Sequence, residues 1–304
     1  MTDQALPRRM NILLAIDGSP HSMAAAQLIC DLPLTRESNI TTIAVLVPRD
    51  ASSHASLEAA LSQVQECFTE RGIIVNSQLL TGYPAEQISD YADHLKPDLI
   101  VLGAKGRRAT YEILLGGVVQ HIVEYSLQPV LVVRAPYEPI KRILLVTDGS
   151  KYSQNALQFL GNFPLQANID LRVMHVLPPL PSSALIARSW TVGSEIMAPV
   201  PSAETEKLLA EQAEEEERNG KILLEQALRT FKEYGISATS VLLRGDAATE
   251  ILEYSKNHQI NLIVAGSRGL SQMKRLLLGS LSRKLVHYAG CSVLVVRKEE
   301  DDYR

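Results

Sequence analysis

Short apolar runs recur along the chain, each bounded by turn residues and followed by a stretch with helical spacing. In the first half the runs are Ile12–Ile16, Thr41–Val47, Val75–Leu80, Leu99–Leu102 and Val130–Val133. Between them lie segments that read as helices: about Ser19 to Asp31, Ser56 to Arg71, Pro84 to Leu95 and Val118 to Tyr125. The runs are rich in Val, Ile and Leu, as strands covered on both faces are. Strand alternating with helix predicts a parallel, doubly wound α/β sheet with right-handed crossovers.

The second half repeats the first. Asn11-Ile-Leu-Leu-Ala-Ile-Asp17-Gly18-Ser19 matches Arg142-Ile-Leu-Leu-Val-Thr-Asp148-Gly149-Ser150 at an offset of 131. Further on the offset is 163: residues 72–134 and 235–297 share 24 identities in 63 columns, where chance gives roughly 4. So long a period makes each copy a whole domain of five strands and four helices. The expectation is two tandem flavodoxin-like domains, 8–135 and 141–298, joined by the semi-rigid linker Ala135-Pro-Tyr-Glu-Pro-Ile140. The change of offset leaves about 32 extra residues in the second copy, an insert at about 178–220. It holds a Pro- and Ser-containing stretch, Pro178 to Pro201, then a charged helical run from Ala203 to Tyr234. Its run Glu214–Glu217 reads as a solvated face; a lid over the second copy or a partner-docking element is the sharper alternative.

Composition narrows the function classes. The 304 residues are 46% hydrophobic and 21% charged, which excludes a disordered chain. A net charge of -4 gives no global pull toward nucleic acid or an anionic membrane. No apolar run nears the ~20 residues that span a bilayer, and Met1 to Met10 lacks a signal core. The expectation is a cytoplasmic protein. Cys30, Cys67 and Cys291 are far apart with no CxxC spacing, so three free thiols and no zinc site are expected. The seven histidines lack ligand spacing, and neither a Gly-x-Ser-x-Gly elbow nor a Walker A loop is present.

In doubly wound sheets ligands sit beyond the carboxyl ends of the strands. In the second copy Leu262–Ala265 runs into Gly266-Ser-Arg-Gly269, then nine residues, then Gly279-Ser280-Leu281-Ser282. Gly266, without a side chain, would let a ribose or phosphate approach the backbone, and Gly269 would permit a turn with positive φ. Ser280 to Ser282 open the next helix and offer free N–H groups, a helix dipole and two hydroxyls to an anion. From Gly266 to Gly290 there are Arg268, Lys274, Arg275, Arg283 and Lys284 and no acidic residue. Asp148, ending the first strand of this copy, can accept hydrogen bonds from ribose hydroxyls if strands one and four are neighbours.

With these residues in place the chain resembles the universal stress proteins, as a tandem member of their ATP-binding branch. The resemblance rests on Asp148-Gly149-Ser150, Gly245-Asp246-Ala247, the Gly266/Gly269/Gly279-Ser280 loop and the closing Cys291-Ser-Val-Leu-Val-Val296. It implies an adenine-nucleotide-hydrolase-like fold with adenine near Val176, ribose near Asp148 and Gly266, and phosphates on Gly269, Gly279, Ser280, Leu281 and Ser282, with Arg268 beside them. It also implies ATP, with or without Mg2+, as the ligand of a sensor or switch. The alternatives are a slow ATP-hydrolysing or nucleotidyl-transfer enzyme, and AMP or cAMP as the ligand. The last strands would pair the two copies about a pseudo-twofold axis, and further homodimerisation is left open.

The first copy keeps Asp17, Gly103, Gly106 and Gly116 at matching spacing, but Lys105 replaces Arg268, Gly117 replaces Ser280 and Val119 replaces Ser282. Its local balance from Gly103 to Gln128 is only +1. Two lost charge-assisted bonds at about 1.5–3 kcal/mol each lower affinity a hundredfold or more. The first copy is therefore expected to be a weaker second site, on Asp17, Gly103, Lys105, Gly106, Gly116 and the backbone of Gly117.

Overall fold

The computed structural model describes residues 9–106, 115–180, 203–269 and 278–297. The first copy contains β1 (Asn11–Ile16), α1 (Pro20–Asp31), β2 (Asn39–Leu46), α2 (His54–Thr69), β3 (Val75–Thr81), α3 (Pro84–Leu95), β4 (Leu99–Gly103), α4 (Gly117–Tyr125) and β5 (Val130–Val133). The second contains β6 (Arg142–Val146), α5 (Lys151–Asn162), β7 (Asp170–Leu177), α6 (Ala203–Glu233), β8 (Ala238–Arg244), α7 (Ala247–Asn257), β9 (Leu262–Gly266), α8 (Ser280–Tyr288) and β10 (Ser292–Val296).

All ten strands form one sheet in the order β3-β2-β1-β4-β5-β10-β9-β6-β7-β8. Each half is parallel throughout, and the halves join through the antiparallel pair β5–β10. In that pair Leu131 faces Leu294, its own counterpart at the 163 offset, while Val132 faces Val293 and Val130 faces Val295. The local twofold therefore passes through the Leu131–Leu294 pair. The central strands are buried on both faces, and Ile12, Leu13, Leu14, Leu144 and Leu145 are each fully buried. One apolar layer packs the sheet against α1, α2, α5 and α6, the other against α3, α4, α7 and α8.

One expectation changes here. Cys30 and Cys67 are not separate thiols: they lie in the last turns of α1 and α2 and are joined as a disulfide with Cα atoms 6.5 Å apart. The parallel crossover lays α1 and α2 side by side, so 37 residues of separation give no spacing signal. The charged run of the insert is a 31-residue helix, α6, against 16 residues for its counterpart α2. Exposed pairs Lys207–Glu211, Glu214–Arg218, Glu217–Lys221 and Glu225–Arg229 stud its outer face, each worth only a few tenths of a kcal/mol. The stretch 181–202 lies outside the described residues.

Candidate functional site

In each half-sheet the strand order reverses between the first and fourth strands, β1 and β4 or β6 and β9. The loops leaving those strands open a crevice at their carboxyl ends. The Asp-Gly-Ser turn shapes one side of it in both copies. Gly18 (φ +74°) and Gly149 (φ +78°) take the left-handed conformation that reverses the chain. Ser19 and Ser150 then cap α1 and α5. Their backbone N–H groups donate to Asp17 Oδ1 and Asp148 Oδ1, each at 3.0 Å. This aims each carboxylate's second oxygen at the glycine loop. A Cβ on Gly269 would lie 2.6 Å from Asp148 Oδ2, and one on Gly106 would lie 2.7 Å from Asp17 Oδ2.

These contacts correct two readings of the glycines. Gly269 does not adopt positive φ; it is glycine because the Asp148 carboxylate occupies the space of a side chain. Gly266 is not kept bare for a ligand. A Cβ there would meet the Tyr152 carbonyl carbon and oxygen at 2.6 Å, so close packing of α5 on β9 is what excludes it. Gly103 plays the same part under the backbone of His21 and Ser22, the nearest approach being 2.4 Å.

The far side of the crevice is a helix start. Gly279 is the N-cap of α8 and Gly116 that of α4, and neither helix has a side-chain cap. Helices α1, α5 and α7 are capped by Ser19, Ser150 and Asp246, while α2 and α3 also lack a side-chain cap; what sets α4 and α8 apart is the glycine loop beside their starts. An uncapped helix start beside a glycine loop presents backbone donors and the positive end of the dipole. Gly279 is held by its N–H to Ser267 O at 2.7 Å, and a Cβ on it would lie 3.2 Å from Arg268 Cα.

The predicted side chains divide. Ser280 is exposed at the mouth of the crevice. Ser282 is 3% exposed and donates its hydroxyl to Gly266 O at 2.6 Å, so it ties α8 to β9 and offers an anion no hydroxyl. Leu281 packs half-buried against the core. Arg268 donates to Tyr152 Oη at 3.1 Å with its guanidinium 5.5 Å from the ring centroid, which draws the charge toward α5. Lys274 and Arg275 lie outside the described residues. Val176 is half-buried at the carboxyl end of β7, in register with Leu243. Asn11 pairs with Asn39 in one copy and Arg142 with Asp170 in the other, so Val45 is its counterpart.

In the first copy Asp17, Gly103, Lys105, Gly106, Gly116 and Gly117 all line one cavity of about 810 Å³, a volume typical of small-molecule sites. Val45, Leu57, Ile88, Tyr83 and Val119 supply its apolar walls. Lys105 is anchored through its carbonyl, which accepts from Ser19 Oγ at 3.0 Å.

Residues not assigned to the site from sequence also shape the second crevice. His175 Nδ1 donates to Thr147 O at 2.8 Å, which fixes the tautomer beside Asp148. A Cβ on Gly220 of α6 would come within 3.2 Å of His175 Cδ2 and Leu177 Cδ2, so this glycine lets α6 settle onto β7. Arg244 then clasps α6 past the sheet edge, donating to Glu216 Oε2 at 2.6 Å, Ala213 O at 3.2 Å and Pro178 O at 2.9 Å.

Among the described residues no helix is long and apolar enough to cross a membrane, and no cluster of three His, Cys, Asp or Glu converges to hold a metal ion. The family model "Universal stress protein family" matches residues 8–134 and again 139–297. Universal stress protein YxiE of Bacillus subtilis is 32% identical over 156 residues, covering 51% of this chain and 98% of that protein. A universal stress protein of Mycolicibacterium smegmatis is 25% identical over 310 residues, covering 94% of this chain and 96% of that one. The crystal structure of a universal stress protein from Archaeoglobus fulgidus superposes with a TM-score of 0.65 at 19% identity, covering 96% of this chain and 97% of that chain. Two matches to one family model, laid end to end on two doubly wound half-sheets, make the chain a tandem member of the universal stress protein family.

Proposed function

We propose that this chain binds adenine nucleotide in the crevices at the carboxyl ends of its half-sheets, with ATP held principally by the second domain. The observation that carries the reading is the pairing of Asp148 with the uncapped start of α8, across a loop whose glycine at 269 makes room for the carboxylate. In this reading Asp148 accepts from ribose hydroxyls. The backbone N–H groups after Gly279 and the Ser280 hydroxyl donate to phosphate oxygens, and Arg268 adds positive charge from its seat on Tyr152. Val176 walls the base, as Val45 walls the cavity of the first domain. The residues present fit a polyphosphate; any Mg2+ would arrive with the nucleotide.

The stretch from Gly266 to Gly290 contains no Asp or Glu, which favours a binding module over a hydrolase: a sensor or switch read out by occupancy. The first domain retains the frame but has Gly117 in place of the Ser280 hydroxyl and a local balance of only +1 against +5, so it serves as the weaker site. Mass spectrometry of small molecules released from the purified chain tests the reading. An adenine nucleotide at near-stoichiometric amount is expected, diminished in Gly279→Ala; release of an unrelated compound from the same crevice would overturn it.

A further inference from the structure

Cys30 and Cys67 meet where the last turns of α1 and α2 run side by side. Cys30 is 3% exposed, whereas Cys67 is half-buried and within reach of small solutes. Their Cα separation of 6.5 Å suits a bridge. The same place also suits two thiols, because Cys30 Sγ lies 3.1 Å from the Cys67 carbonyl and can donate its S–H there. Arg71 ties the helices independently of sulfur, donating from Nη1 to Leu32 O at 3.3 Å. The helix pair thus holds together with the cysteines in either state.

The arrangement belongs to the first domain alone. At the matching positions the second domain has Gly161 and Thr230, and the ring of Tyr234 fills the space a Cβ on Gly161 would need, 2.4 Å away. At its other end α2 carries Leu57, a wall of the 810 Å³ cavity.

We propose that Cys30 and Cys67 form a reversible modification site that takes a hydroperoxide as oxidant and locks α1 to α2. The Cys67 thiolate attacks one peroxide oxygen; the S–O bond forms, the O–O bond breaks, and the departing hydroxide takes up a proton as water. The Cys30 thiolate then attacks Cys67 Sγ; the S–S bond forms, the S–O bond breaks, and the second oxygen leaves as water with a further proton. Two thiols are oxidised, and their two electrons reduce one hydrogen peroxide to two waters. A dithiol reductant reverses the bond by exchange. This inference is independent of nucleotide binding.

The test uses the full chain, reduced with dithiothreitol, desalted, exposed to a few equivalents of hydrogen peroxide, then alkylated in denaturant and mapped by peptide mass spectrometry. The expected product is a Cys30–Cys67 linked peptide pair, two hydrogens lighter than the reduced peptides, with Cys291 alone alkylated. Cys291, whose thiol burial pushes up to about 11, serves as the internal control. Dithiothreitol on the native chain should restore three alkylatable thiols. The thermal midpoint should rise by several degrees on oxidation of the parent and stay put in Cys67→Ser. Three alkylated thiols after peroxide, sulfinic acid at Cys67 without a link, or a bond that resists dithiothreitol in the native chain would each overturn the proposal. All three are read on the unmutated protein.

Discussion

Arg134 and Arg297 are one position occurring twice, and each reaches across the seam to the helix C-terminus of the other copy. Arg134 Nη2 donates to Val286 O at 3.0 Å and His287 O at 3.1 Å, at the end of α8. Arg297 Nη2 donates to Glu124 O at 3.0 Å and to Val123 O, at the end of α4. Each guanidinium satisfies carbonyls that a helix end leaves without partners and sits at the negative pole of the dipole. The exchange follows from Leu131 facing Leu294: a twofold through that pair carries each arginine onto the other domain. An added bridge, Arg283 to Glu124 at 2.8 Å, stitches α8 to α4.

Arg297 is 7% exposed, so truncating it strands buried carbonyls. Arg297→Ala should cost about 2–4 kcal/mol in urea unfolding, and Arg134→Ala less, because Arg134 is only half-buried. Arg297→Lys should recover little of the loss, since a single ammonium cannot reproduce the planar fork. An unchanged midpoint in Arg297→Ala would remove the exchange from the account of how the domains are joined.

Gly266, Gly269 and Ser280 of the second crevice should not respond alike. Gly266→Ala drives a methyl into the Tyr152 backbone and should lower stability, whatever the ligand. Gly269→Ala displaces the Asp148 carboxylate, and Ser280→Ala removes one exposed hydroxyl; both should leave a folded chain with ATP affinity reduced roughly tenfold or more. Circular dichroism melts beside equilibrium titrations separate the two classes.

Gain of function is the stricter trial of the first domain. A Cβ on Gly117 meets nothing within 4 Å, so Gly117→Ser restores the hydroxyl of the second copy without crowding. Nucleotide affinity of the first domain should rise roughly tenfold, measured in a chain whose second site is impaired by Gly269→Ala. No change would mean that donors at this position do not distinguish the two sites.

His21 gives stability a pH dependence of known sign. Its Nδ1 accepts from the Ala135 N–H of the linker at 2.8 Å. Burial first, then the charges of Lys105 and Arg134, lower its pKa below the usual 6.5, while a hydrogen bond to the Val133 backbone and then the Asp17 charge pull the other way. The unfolded chain therefore binds the proton more readily. The contribution is fully present above the unfolded value and is lost as pH falls below it toward the folded one. Thermal midpoints measured from about pH 7.5 down to 5.5 should fall less steeply for His21→Asn, which keeps an acceptor but no titration. Equal slopes would contradict this.

Much of the architecture was legible because its determinants are local or repeated. The Val/Ile/Leu runs place the strands, and the change of offset from 131 to 163 marks the long α6. The Asp-Gly-Ser turns and the Gly279-Ser280 helix start were readable as a crevice for the same reason. What escaped depends on contacts between distant segments. Gly266 and Gly269 look alike in sequence, yet one is bare for a helix backbone and the other for a carboxylate. Ser282 looked like a phosphate donor until α8 turned its hydroxyl onto Gly266 O. Cys30 and Cys67 share no spacing motif because a crossover, not the chain, brings them together. The arginine exchange left one visible trace, identical Val-Val-Arg endings at Val132–Arg134 and Val295–Arg297, whose meaning needs the antiparallel seam.

Isothermal titration of the folded 304-residue chain with ATP probes the second crevice most directly. One tight site should appear, weakened at least tenfold in Ser280→Ala and accompanied by a much weaker second event. Two equally tight sites, or no heat of binding from a chain that melts cooperatively, would contradict a nucleotide seat built on Asp148 and the start of α8.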